Sequence, residues 1–186
     1  MRKNKRDELV EKAMETFYRN GFHATGMDML VAESGISKTS MYKHFKSKED
    51  LILAALGLRE QQFHDWSTKR VCELASEPKG QLLALFDVLG EWFREDTFKS
   101  CMFIKASSEY PEPDHPIHQQ TVEQRNTMYQ GVLALVEAAH LKNPEALARQ
   151  LLMLQEGAII TAHFGNSDDP AGEAKKAAKA LIDAAS

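Results

Sequence analysis

Residues 25–51 read TGMDMLVAESGISKTSMYKHFKSKEDL, and this stretch decides the fold. Thr25 is followed three residues later by Asp28, which is the hydroxyl-to-carboxylate spacing of a capping box and predicts a helix start. Met27, Leu30 and Val31 share one face of that helix, which ends at Ser34-Gly35. Ser37 is placed to cap a next short helix from Lys38 to Phe45, with Met41 and Phe45 one turn apart on its inward side. Two short helices joined by a glycine turn are the plan of a helix-turn-helix. Ala32 is expected where the two helices cross, Gly35 permits the turn, and Ile36 tucks beneath it. The second helix then exposes Lys38, Thr39, Ser40, Tyr42, Lys43 and His44, a polar and basic face suited to phosphates and base edges.

Outward from this stretch the pattern stays helical. Before it, Leu9, Val10, Ala13, Met14 and Phe17 form one apolar stripe over Lys5 to Asn20, and Asn20-Gly21 ends that helix. After it, Ser47-Lys48-Glu49-Asp50 repeats the capping-box spacing and opens a long helix to about Leu74, broken at Glu77-Pro78-Lys79-Gly80. Helices are then predicted over Gln81–Arg94, Ser100–Tyr110 and Ile117–His140. Asn143-Pro144 and Asp169-Pro170 each place a capping residue before a proline, starting helices to about Asn166 and Ala185. The fold class is all-α, about nine helices, with no strand-period segment of useful length. A DNA-binding head over residues 1–47 and a larger helical domain over 48–186 are the expected division.

Composition is ordinary for a globular chain, at 43% hydrophobic and 27% charged. The net charge of −4 is unevenly spread. Residues 1–50 carry ten Lys/Arg against eight Asp/Glu, near +2, and the remaining thirteen against nineteen leave the rest near −6. The basic end would face phosphates and the acidic remainder would point away. The chain shows no signal-peptide core and no apolar run long enough to span a bilayer, so a cytoplasmic location and no membrane partner are expected. Cys72 and Cys101 are read as small buried residues rather than a disulfide framework. His115 and His118 are three apart, but Pro116 interrupts the face they would share, and the chain has no Cys/His quartet at zinc spacing. No metal and no cofactor are expected. An enzyme is disfavoured by the lack of a phosphate-cradling glycine loop or a Gly-x-Ser-x-Gly elbow.

The run Met41-Tyr42-Lys43-His44-Phe45-Lys46-Ser47-Lys48-Glu49-Asp50-Leu51 closes a segment that resembles the DNA-binding domain of TetR-type (tetracycline-repressor-like) regulators over roughly the first fifty-five residues. The resemblance implies particular roles. Thr25 and Lys48, at the starts of the second and fourth helices, would hold phosphates. Tyr42 would pack on or hydrogen-bond the DNA backbone, Lys38, Thr39, Ser40 and Lys43 would face the groove, and His44 would meet a phosphate. Tyr42 as a core or dimer residue, and His44 as a helix-end residue favoured by the macrodipole, are the competing readings. Arg2, Lys3, Lys5 and Arg6 would add non-specific affinity, or else be simply disordered.

The resemblance further implies a ligand-responsive repressor acting as a homodimer on a palindromic double-stranded operator. The dimer would form through helices at about 144–166 and 170–185, using Leu147, Leu151, Leu154, Ala158, Ile159 and Ala162 with Ala174, Ala177, Ala178, Leu181 and Ile182. The same stripe could instead pack within one protomer. An unknown small-molecule inducer would be lined by Trp66, Phe86, Trp92, Phe93, Phe103, Tyr110, Met128, Tyr129, Met153 and Phe164, unless these aromatic and Met stripes are plain core. A ligand-insensitive DNA-organising or partner-binding protein with the same head is the alternative.

Overall fold

The helical pattern is borne out in the computed structural model, which describes residues 4–186. Among the described residues there are nine α-helices and no strand: α1 (Lys5–Asn20), α2 (Met27–Ser34), α3 (Lys38–His44), α4 (Lys48–Leu74), α5 (Pro78–Phe93), α6 (Met102–Glu109), α7 (Pro116–Ala138), α8 (Pro144–Phe164) and α9 (Pro170–Ala184).

The helices sort into two compact units that do not follow the chain in order. One holds residues up to Phe63 together with Cys101–Gln124; the other holds His64–Ser100 and Arg125–Ser186. The packing therefore does not divide at residue 47. The first unit takes in the opening turns of α4, all of α6 and the start of α7.

The first unit is built on the apolar stripe of α1. Leu9, Ala13 and Phe17 are fully buried, and Phe17 stacks on Phe22 with ring centroids 5.5 Å apart. Around them close Leu30 of α2, Met41 of α3, Leu51, Ile52, Ala55 and Leu56 of α4, Met102, Phe103 and Ala106 of α6, and Ile117 of α7. Each fully buried side chain of this size is worth about 1.5–3 kcal/mol against exposure, so the α6 residues are part of what stabilises the head.

Local chemistry sets the helix ends. Asn4 caps α1, its side chain accepting from the Asp7 N–H. Ser47 and Asp50 form a reciprocal capping box at α4: the Asp50 N–H donates to Ser47 Oγ at 3.0 Å, and the Ser47 N–H to Asp50 Oδ2 at 3.1 Å. The box expected at Thr25 and Asp28 does not form. Gly26 is the N-cap of α2 without a side-chain bond, and the Thr25 hydroxyl donates to the Gly21 carbonyl at 2.6 Å. Asn143 stands before Pro144 in left-handed geometry with no side-chain cap, whereas Asp169 does cap α9 through the Gly172 N–H.

The second unit packs α8 and α9 on each other and both on α5. Leu147, Leu151, Ala158 and Ile159 of α8 and Ala178 and Ile182 of α9 are buried within the protomer. Within the stripe assigned to a dimer, these six therefore already have intramolecular partners, while Leu154, Ala162, Ala174 and Leu181 are half-buried and Ala177 is exposed. The apolar surface that α8 leaves open is another face, carrying Met153 and Phe164, 56% and 74% exposed. Ion pairs fasten the rim of the unit, with Arg70 forking onto Glu91 at 2.9 Å and Lys175 onto Asp87 at 2.6 Å. No helix among the described residues is long and apolar enough to cross a membrane.

Candidate nucleic-acid interface

The turn between α2 and α3 begins at Gly35, whose φ of +69° is left-handed and whose N–H closes on the Val31 carbonyl. Ser34 reinforces it, its Oγ donating to the Leu30 carbonyl and accepting from the Ile36 N–H. Ser37 then caps α3 by accepting from the Ser40 N–H. The turn expected from sequence is therefore present, but Ala32 is exposed and not at a close helix crossing; Ile36 is half-buried.

With Met41 buried inward, α3 presents its other side to solvent. Lys38, Thr39, Tyr42, Lys43 and His44 are exposed and Ser40 is half-buried, with Tyr42 at 49%. That exposure removes Tyr42 from the core. The Lys38 ammonium lies 3.3 Å from an Asp28 carboxylate oxygen, an exposed pair that screening leaves weak and a phosphate could replace. Arg6 stacks over the Phe45 ring at 4.9 Å. Beside it an open depression of about 490 Å³ is lined by Arg6, His44, Lys46 and Asp50 among others, adding basic groups to the same face of the head. Arg2 and Lys3 lie outside the described residues.

Two of the expected phosphate ligands are turned elsewhere. Thr25 is fully buried with its hydroxyl committed to Gly21. Lys48 directs its ammonium to the carbonyls of Phe22 and Thr25, at 3.0 and 3.3 Å, because the bend after α1 leaves those oxygens without helical donors. Both residues shape the loop from Gly21 to Thr25.

Sequence reasoning missed what holds the other side of that loop. The Glu109 carboxylate, at the end of α6, accepts from the Phe22 N–H at 3.0 and 3.1 Å and from the His23 N–H at 2.6 Å. The His23 ring Nε2–H donates back to the Glu109 carbonyl at 2.7 Å. Four residues earlier on α6, Lys105 donates to the Tyr18 carbonyl at 3.2 Å. Two signals pointed at Glu109 without naming its partners: it belongs, with Cys101-Met102-Phe103 and His115-Pro116, to a stretch that resembles one recurring in a branch of TetR-type regulators, and it stands one turn from the opposite charge of Lys105 on a short helix.

The residues proposed to line a ligand site divide between the two units. Phe103 and Tyr110 belong to the core of the first unit. Burial, then the nearby carboxylates of Glu49 and Glu109, push the Tyr110 phenol up, so it stays neutral. Its ring lies against His23 and His115, with centroids 4.6 and 4.7 Å away, and its carbonyl accepts from His118 Nδ1–H. In the second unit Phe86 and Trp92 are buried, and Trp92 and Phe93 cluster with Phe98, ring centroids about 5 Å from Phe98. Trp66, Met128 and Tyr129 are half-buried, and Met153 and Phe164 are surface residues. Cys72 is exposed and Cys101 half-buried, against the expectation that both would be core.

This head geometry has close counterparts. Residues 9–55 match the family described as bacterial regulatory proteins, tetR family. The HTH-type transcriptional regulator YjdC of Escherichia coli is 24% identical over 154 residues, which is 83% of this chain and 81% of that protein. A TetR-family transcriptional regulator from Streptomyces coelicolor has the same fold at a TM-score of 0.87, with 26% identity over 97% of this chain and 95% of its own. The TetR-family regulator CifR, solved with a 26-base-pair operator duplex, superposes at a TM-score of 0.80 with 18% identity, covering 100% of this chain and 99% of that one. The helix-turn-helix that α2 and α3 build, with its exposed basic face, is thus of a known kind: over residues 9–55 it is the DNA-binding head of the TetR family of transcriptional regulators, and the chain as a whole is similar to regulators of that family.

Proposed function

We propose that the protein is a ligand-responsive repressor that binds a palindromic operator as a homodimer. The observation that carries the DNA part is the solvent-facing row Lys38, Thr39, Tyr42 and Lys43 on a capped recognition helix, with Ser40 half-buried beside it. In this reading Thr39, Ser40 and Lys43 meet base edges and nearby phosphates, Tyr42 packs on the sugar-phosphate chain, and His44, Lys46 and Arg6 hold a flanking phosphate. Lys38 exchanges Asp28 for DNA. CifR, which shares the fold, was solved on operator duplex, and that supports the same mode of docking here.

The dimer would use the open face of α8, where Met153, Gly157 and Phe164 recur at helical spacing, beside the exposed Ala177 and Ala180 of α9. Exposed residues as large and apolar as Met153 and Phe164 on one helix face suit a self-complementary two-fold contact. Two recognition helices would then address half-sites about 34–36 Å apart.

The test combines selection of duplexes from a random pool with sedimentation. The reading expects an inverted-repeat consensus bound by a dimer, and a Met153→Arg, Phe164→Glu protein that sediments as a monomer. Asymmetric selected sites bound by a wild-type monomer would overturn it. A ligand-insensitive regulator is favoured by one observation, the packing of Phe86, Trp92, Phe103 and Tyr110 into cores. A thermal-shift panel of apolar and aromatic small molecules separates the two: a hit that also releases the duplex supports the inducer.

A further inference from the structure

The loop from Gly21 to Thr25 joins α1 to the helix-turn-helix, so its shape sets where α2 begins. Four of its backbone groups are satisfied by side chains from afar. Two of its carbonyls go to Lys48 and its Phe22 and His23 N–H groups to Glu109, 86 and 87 residues away. Gly21 is fitted to this arrangement twice over. Its φ is +87°, and a Cβ there would lie 3.0 Å from the nearer Glu109 carboxylate oxygen. A side chain at that position would press the carboxylate aside by a few tenths of an ångström as well as strain the backbone.

Lys105 completes the grip from the same helix. Its ammonium reaches the Tyr18 carbonyl at the C-terminal end of α1, where the helix dipole is negative, and lies 5.5 Å from the Tyr18 ring centroid. A cation on the last carbonyls of α1 and an anion on the first N–H groups beyond it are matched in sign to the backbone they meet. They sit one turn apart on α6, so a rigid helix holds both ends of the bend.

We infer that Glu109 is a positioning residue for DNA binding: its carboxylate fixes the Gly21–Thr25 loop and thereby the angle at which α2 and α3 leave α1. This rests on the DNA-binding reading of α3 given above. Glu109 faces the loop backbone and not the α3 surface, so it acts through α2. Charge-assisted bonds of this kind are each worth a factor of roughly ten or more in the equilibrium they bias. Lys48 anchors the loop from the opposite side, through bonds that do not involve Glu109.

The test uses a duplex selected from a random pool by the wild-type full chain, with a scrambled duplex of equal length beside it. Glu109→Gln, Glu109→Ala and Glu109→Asp proteins are titrated with both. The expected result is a loss of about tenfold or more on the selected duplex for Gln and Ala, with partial recovery for Asp and little change on the scrambled duplex. The backbone amide resonances of Phe22 and His23 should move upfield in the Gln protein, as a charged acceptor is replaced by a neutral amide. Selected-duplex affinity within twofold of wild type in a Gln protein whose thermal unfolding is also unchanged would overturn the inference. So would equal losses on both duplexes. If the wild-type chain selects no duplex at all, the DNA-binding reading fails first, and the two amide resonances still report whether Glu109 holds the loop.

Discussion

Lys43 and Lys48 stand five residues apart and illustrate how exposure separates two roles for one side chain. Lys43 is exposed on α3 and faces solvent, while Lys48 is half-buried and spends its ammonium on two backbone carbonyls. Lys43→Ala should weaken binding to every duplex and reduce the slope of log affinity against log salt by about one phosphate's worth. Lys48→Met should leave that slope intact and instead lower the urea midpoint, since two carbonyls lose their donor. Fluorescence titrations over a salt series, with urea melts of the same proteins, check both. A flattened slope in the Lys48 protein would return its ammonium to the phosphates.

At the scale of elements, the helix ends decide how much could be read in advance. Ser47 and Asp50 were legible because a capping box is closed within four residues. Thr25 and Asp28 have the same spacing and fail, because the Gly21 carbonyl reaches the Thr25 hydroxyl first and Lys38 draws Asp28 outward. The α8 stripe was legible as apolar, yet not as internal, since periodicity names a buried face without naming what buries it. The partners of Glu109 were illegible for a related reason: they lie on a loop whose position depends on the whole first unit. The glycine turns permit a direct comparison. Gly35→Ala should cost about 1 kcal/mol, the penalty of a left-handed φ with open space around the added Cβ. Gly21→Ala should cost more, because the same kind of strain is joined by displacement of the Glu109 carboxylate. Urea denaturation of the two proteins gives the order, and a Gly21 variant no worse than the Gly35 one would argue against the tight fit.

For the whole molecule, two ion-paired carboxylates contribute to stability in acid. Hydrogen bonding to Arg70 holds the Glu91 carboxyl below its usual range, and Lys179 and then Lys79 do the same for Asp183. Both groups release protons more readily folded than unfolded, so the unfolded chain binds more protons in acid and stability rises with pH there. The contribution is complete above the ordinary carboxylate pKa of about 4 and fades as pH falls through the lowered folded values. Urea midpoints should be flat from neutrality to about pH 5 and drop below it, with a shallower drop for Glu91→Gln. An acid limb as steep in that variant as in the parent would remove Glu91 from the account.

The first unit is assembled from two stretches with 37 residues of the other unit between them, from His64 to Ser100. During synthesis the recognition helix leaves the ribosome early, but Phe103, Ala106 and Glu109 follow some sixty residues later. Until then the nascent head lacks part of its core and the carboxylate that shapes its bend. Competence for DNA is thereby tied to the later chain, and a truncated translation product that contains every groove-facing residue would still be a poor competitor for the operator.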